Sequence, residues 1–174
     1  QSPHTYEPTP RQVAALGSAD LYVGIGIPFE SAQLPRIGAT NPRLRVLDAR
    51  TGIDLRRIEA HEHAQPAGDG AHDDGHQHPG EGASAQAAEL DPHIWTSPPL
   101  AKRIALAIRD ALAEIDPANA PAFEANFQGF AAELDQLDRD IRAQLEPLRH
   151  RRFLVYHPAW GYFADTYRLV QVPL

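Results

Sequence analysis

Apolar positions along this chain follow two rhythms. Between 123 and 148, Phe123, Phe127, Phe130, Leu134, Leu137, Ile141, Leu145 and Leu148 recur at steps of three and four, which is one face of an α-helix. A helix of roughly 25 to 30 residues at ~1.5 Å each is a rod about 40 Å long. It begins between 116 and 121, can cross two lobes and ends at Pro147. A second helix precedes it. Thr96 or Ser97 caps it, Pro98 and Pro99 suit its first turn, and Leu100, Ile104, Ala107, Ile108 and Leu112 mark its buried face. Ile115-Asp116-Pro117 stops it. Near the start, Thr9 and Pro10 open a short helix over 12–16 that Gly17 closes.

The other rhythm is a run of apolar residues without alternation. Residues 21–27 (Leu-Tyr-Val-Gly-Ile-Gly-Ile) read as a strand buried on both faces. Residues 43–47, 153–156 and 169–172 fit further strands, 153–156 also buried. Pro28-Phe29-Glu30 begins a short helix to about Leu34, and 160–166 form another. Helices alternating with buried strands predict an α/β fold with right-handed crossovers.

From 59 to 89 both rhythms stop. Glycine, alanine, aspartate and histidine replace the periodic apolar residues, and His61, His63, His72, His76 and His78 lie here. This span is expected to be a disordered loop, since its apolar area is too small to offset the entropy of ordering.

Composition narrows the function. The chain is 43% hydrophobic and 22% charged, as a globular protein would be, and no apolar run approaches the ~20 residues of a membrane span. A net charge of -7 speaks against a nucleic-acid partner and suits a cation ligand. There is no cysteine, hence no disulfide and no thiolate metal site. There is also no methionine. With a last segment that reads as a strand cut off, the chain is expected to be an internal piece of a longer protein.

Candidate chemistry centres on three histidines, each beside a proline: Ser2-Pro3-His4, Asp91-Pro92-His93 and Tyr156-His157-Pro158. His4 alone would be a surface residue in a proline-rich turn. Together the three suggest one metal site assembled from distant segments. Neutral imidazoles from separate segments commonly hold Zn²⁺, and neighbouring prolines stiffen the backbone that presents them. His157 follows a strand end, where open α/β sheets place ligands. A ligand histidine needs its second nitrogen anchored; Glu7, Asp91 and Asp165 are candidates for that role. The five histidines of the 59–89 span are expected to bind metal weakly at several places. Trp95, Tyr156, Trp160 and Phe163 are read as core or site-wall residues, and Glu133, Asp135, Asp138, Arg139, Asp140 and Arg142 as a solvated helix face. No phosphate-binding glycine loop, serine nucleophile elbow or HExxH helix is present.

Four motifs in order carry a resemblance: Ser2-Pro3-His4-Thr5-Tyr6-Glu7-Pro8-Thr9-Pro10; Ala19-Asp20-Leu21-Tyr22-Val23 with Pro28-Phe29-Glu30; Leu90-Asp91-Pro92-His93-Ile94-Trp95; and Tyr156-His157-Pro158-Ala159-Trp160-Gly161-Tyr162-Phe163. Over essentially its whole length the chain resembles the solute-binding proteins of ABC transporters for zinc and manganese. The resemblance implies two Rossmann-like α/β lobes joined by a long rigid helix, matching 123–148, with metal held between the lobes. His4 and His93 match the family's N-lobe ligands. His157 matches the third position, a histidine in zinc members and typically a glutamate in manganese members. A histidine-rich loop before the second ligand, used for metal acquisition or sensing, is likewise a zinc-member feature.

The implied organisation is an N-terminal metal-binding lobe over 1–116 with its loop at about 60–88. The linking helix follows over 117–148, and the start of a C-terminal lobe over 149–174. The family's first strand and helix, and an acidic fourth ligand found in some members, fall outside this sequence. The implied function is extracytoplasmic zinc capture and delivery to a membrane permease, by a monomeric, non-enzymatic protein. A manganese or iron carrier, a zinc hydrolase built on the same three histidines, and a scaffold that zinc merely stabilises are the alternatives.

Overall fold

The structure is a computed structural model that describes residues 9–58 and 90–174. Helix α1 (Pro10–Leu16) starts from a reciprocal cap. The Thr9 Oγ1 accepts from the Gln12 N–H at 3.4 Å, and the Gln12 side-chain oxygen accepts from the Thr9 N–H at 2.8 Å. Strand β1 (Leu21–Gly24) follows, then α2 (Pro28–Thr40) and β2 (Arg45–Asp48). The two strands run parallel, with Leu21 opposite Arg45 and Gly24 opposite Asp48.

Two boundaries differ from the sequence reading by three residues or more. The strand expected over 21–27 stops at Gly24, because the Glu30 carboxylate takes the next backbone donors. Its Oε1 accepts from Ile25 N–H at 2.9 Å and its Oε2 from Gly26 N–H at 2.6 Å. Gly26 then turns the chain at φ +82, a conformation that favours glycine. The helix expected to end near Leu34 runs through Pro35 to Thr40. Burial of Ile37 holds its last turn. Asn41 ties the end to α1, donating through Nδ2 to the carbonyls of Leu16 and Ala19 at 3.3 and 2.8 Å.

After residue 90 a short 3₁₀ turn (Ile94–Thr96) leads into α3 (Pro98–Ile115), a second 3₁₀ turn (Pro117–Asn119) and α4 (Ala120–Leu145). Arg109 pairs with Glu124 and Lys102 with Asp135, so α3 and α4 form an antiparallel hairpin. The apolar stripe on α4 is only partly covered. Leu134 and Ala131 are buried against α3, whereas Phe130 and Leu137 are exposed. Beyond α4 come β3 (Arg152–Val155), α5 (Gly161–Tyr167) and β4 (Val170–Pro173), with β3 and β4 parallel. The fold is thus α/β, with a parallel strand pair on either side of the helical hairpin in sequence.

The strands are less buried than their apolar runs suggested. Val46 and Leu154 are exposed, and Tyr156 is 88% exposed, which corrects its reading as a core or wall residue. Each sheet has two strands among the described residues, so each strand has one neighbour among them. Full burial is reached where elements converge: Ala49, Ile53, Ile94 and Tyr162 form one cluster, with Val23, Ile25, Leu100 and Ile104 packed against it. That cluster brings β1, the start of α3 and α5 together. Among the described residues no helix is long and apolar enough to cross a membrane.

Candidate metal centre

The Asp91-Pro92-His93 turn is built so that one carboxylate holds one imidazole. Asp91 Oδ1 accepts from the His93 backbone N–H at 2.9 Å and lies 2.7 Å from His93 Nδ1. Both residues are buried, Asp91 to 2% and His93 to 5% exposure. A carboxylate facing Nδ1 places the proton on that nitrogen and leaves the lone pair on Nε2. Trp95 stands beside the ring, its centroid 5.5 Å away, and is half exposed.

The second imidazole arrives from the other strand pair. His157 follows β3 and is exposed, while Pro158 next to it is buried. The chain turns sharply, with the Ala159 N–H donating to the His157 carbonyl at 2.8 Å. The buried Gln171 on β4 fixes the exit of this turn, its side-chain oxygen accepting from the Trp160 N–H at 2.8 Å. His157 Nε2 thereby comes within 3.3 Å of His93 Nε2, with the rings edge to face at 83°. Two nitrogens bound to one Zn²⁺ at ~2.0–2.1 Å with tetrahedral angles stand about 3.3–3.4 Å apart. The two imidazoles are therefore spaced as two corners of a tetrahedral site.

Among the described residues no third histidine, cysteine or carboxylate completes a ligand set with them. His4, Glu7 and the histidines at 61, 63, 72, 76 and 78 lie outside the described residues. Asp165 is exposed on α5, with Oδ2 3.3 Å from the Arg56 guanidinium. Residues that the sequence reading passed over also shape the centre. Tyr162 bonds the Asp91 carbonyl and the Arg56 N–H, and Gln171 braces the His157 turn. Gln171 alone left a sequence signal, as a polar residue inside an apolar strand.

The family model described as "Zinc-uptake complex component A periplasmic" matches residues 1–174. A high-affinity zinc uptake system protein ZnuA of Yersinia pestis is 32% identical over 173 residues, 97% of this chain and 54% of its own length. The protein of the same description from Bacillus subtilis (strain 168) is 31% identical over 174 residues, covering 99% and 50%. Among solved structures, a crystal structure of ZnuA superposes with TM-score 0.77 at 39% identity, covering 99% of this chain and 57% of the other. A ZnuA deletion mutant with zinc bound gives TM-score 0.78 at 38% identity, covering 100% and 57%. The chain spans about half the length of the curated relatives it matches.

Proposed function

This chain belongs to the family of periplasmic zinc-uptake component A proteins, and on that premise we propose that it captures zinc outside the cytoplasm for delivery to the membrane permease of an ABC importer. Zinc is its cargo. His93 and His157 are two of the ligands and His4 the third, with water or a carboxylate outside this sequence as the fourth. Asp91 holds His93 by its second nitrogen. The histidines of the 59–89 span collect zinc weakly and feed the tight site. The protein is a carrier without catalytic turnover and works as a monomer. Its lobes are residues 1–116 and 149–174, linked by 117–148.

The observation that carries this reading is the 3.3 Å between the two Nε2 atoms, set by segments from two different strand pairs. The donor type favours zinc over manganese, because imidazole nitrogens suit Zn²⁺ while Mn²⁺ prefers carboxylate and water oxygens. Delivery to a permease is supported by membership of the uptake family.

The test is a competitive zinc titration of the protein, its His93→Ala and His157→Ala variants, and a form lacking residues 60–88. One tight site should survive deletion of the span, while weaker sites disappear. Each alanine variant should lose tight binding by at least about 100-fold, since a structural or capture site with a missing ligand is open to water. Tight binding that vanishes with 60–88 and persists without His93 or His157 would overturn the assignment.

A further inference from the structure

The hydroxyl of Tyr162 sits where three distant segments meet. It accepts from the Arg56 N–H at 3.2 Å and donates to the Asp91 carbonyl oxygen at 3.1 Å. Those two residues are also bonded to each other, the Asp91 N–H donating to the Arg56 carbonyl at 2.9 Å, and Arg57 forms an antiparallel bridge with Leu90. Residues 56–57 and 90–91 are the stretches that lead into and out of the span 59–89. Tyr162, on α5, closes over both. It is 4% exposed, and burial pushes its hydroxyl above the usual range.

Asp91 is thus held by all its polar groups. Its N–H goes to Arg56, its carbonyl to Tyr162 and its carboxylate to the His93 N–H and Nδ1. Wherever Asp91 sits, the His93 imidazole follows. Tyr162 in turn belongs to the helix that starts just after the His157 turn. One hydroxyl therefore joins the helix that follows the His157 turn to the turn that carries His93. A second contact of α5 with the same region avoids Asp91. Thr166 Oγ1 donates to the Tyr162 carbonyl at 2.7 Å and meets Ser97 Oγ at 2.8 Å.

We propose that Tyr162 is a positioning residue of the metal site, setting the distance and angle between the His93 and His157 imidazoles through the Asp91 carbonyl without touching the metal. The proposal rests on the zinc reading above. Tyr162→Phe keeps the ring in the core and removes only the hydroxyl. The Arg56–Asp91 and Arg57–Leu90 bonds remain, so the fold persists while the His93 turn gains freedom relative to His157. A lost buried hydrogen bond of this kind corresponds to about a fivefold to tenfold change in an equilibrium constant.

The experiment compares Tyr162→Phe with Ser97→Ala, which cuts the other α5 contact, and with His93→Ala. Each is measured for zinc affinity by competition, for the visible spectrum of its Co²⁺ complex, and for the metal-free melting temperature. Tyr162→Phe should bind zinc about fivefold to tenfold more weakly and give an altered Co²⁺ spectrum. Ser97→Ala should bind zinc within about twofold of the parent with an unchanged spectrum, whatever it loses in melting temperature. Parent-like affinity and spectrum in Tyr162→Phe, with tight binding lost in His93→Ala, would overturn this proposal alone. Equal weakening in Ser97→Ala at an equal loss of melting temperature would also overturn it, by making Tyr162 only a packing residue. Tight binding that survives in His93→Ala would overturn the zinc reading itself.

Discussion

His93 and His157 face one another but are held in opposite ways. His93 is buried and anchored at Nδ1, while His157 sits exposed on a turn whose exit is braced by Gln171. The buried member depends on Asp91, whose carboxylate takes both of its N–H groups. Asp91→Asn keeps an acceptor for the backbone N–H but gives Nδ1 a weaker partner. It should lower zinc affinity about 10- to 100-fold, the usual cost of losing such an anchor, with little loss of fold. A competition titration beside a thermal melt checks both halves of that expectation. Of these residues, the stiff Asp-Pro and His-Pro pairs were legible in the sequence, because proline restricts its own neighbourhood. The roles of Tyr162, Arg56 and Gln171 were not, because each acts on a partner outside its own element. Asp165 pairs with Arg56 across the same contact, and Gly161 leaves room for that guanidinium, which a Cβ would strike.

Among the elements, α3 and α4 followed their three-and-four periodicity in extent, since a long amphipathic pattern fixes the helix, although Phe130 and Leu137 on the α4 stripe stay exposed. Element ends were less legible. β1 stopped early because Glu30, inside the next helix, reached back for its backbone donors, and α2 ran past Pro35 because Ile37 is buried and Asn41 anchored. The contact of α4 with α5 is polar and sensitive to acid. Burial of Asp138 works against its ionisation, but the hydrogen bonds from Arg142 and the Tyr167 hydroxyl outweigh it and hold its carboxyl below the ordinary 3.8. A carboxylate with a lowered folded pKa gives stability that is fully present above its unfolded value. That stability is lost as pH falls through the folded one. The urea midpoint of the protein should therefore drop below about pH 3.8, and Asp138→Asn should show a smaller drop at the expense of a lower midpoint at pH 7. An equal fall in both proteins would show that this contact contributes nothing to acid sensitivity. Asp138, read from the sequence as part of a solvated face, is instead half-buried and tied to Tyr167.

For the molecule as a whole, the apolar cluster of Ala49, Ile53, Ile94 and Tyr162 includes neither His93 nor His157. Stripping the protein with a chelator should leave its helical circular dichroism and a cooperative melt. Added zinc should raise the melting temperature by mass action. Loss of the melt on chelation would mark a structural metal and count against a carrier. The sequence by itself determined the α/β alternation, the two consecutive long helices and two of the stiff turns that bear histidine. Each of these follows from local periodicity or from proline geometry within a few residues. Only the tertiary structure decided the 3.3 Å meeting of His93 and His157, the seating of Tyr162 over Arg56 and Asp91, and the exposure of strands whose apolar runs looked buried. Those depend on which distant segments pack together. An apolar run records what a strand is able to cover, and the number of neighbours it finds sets how much is covered.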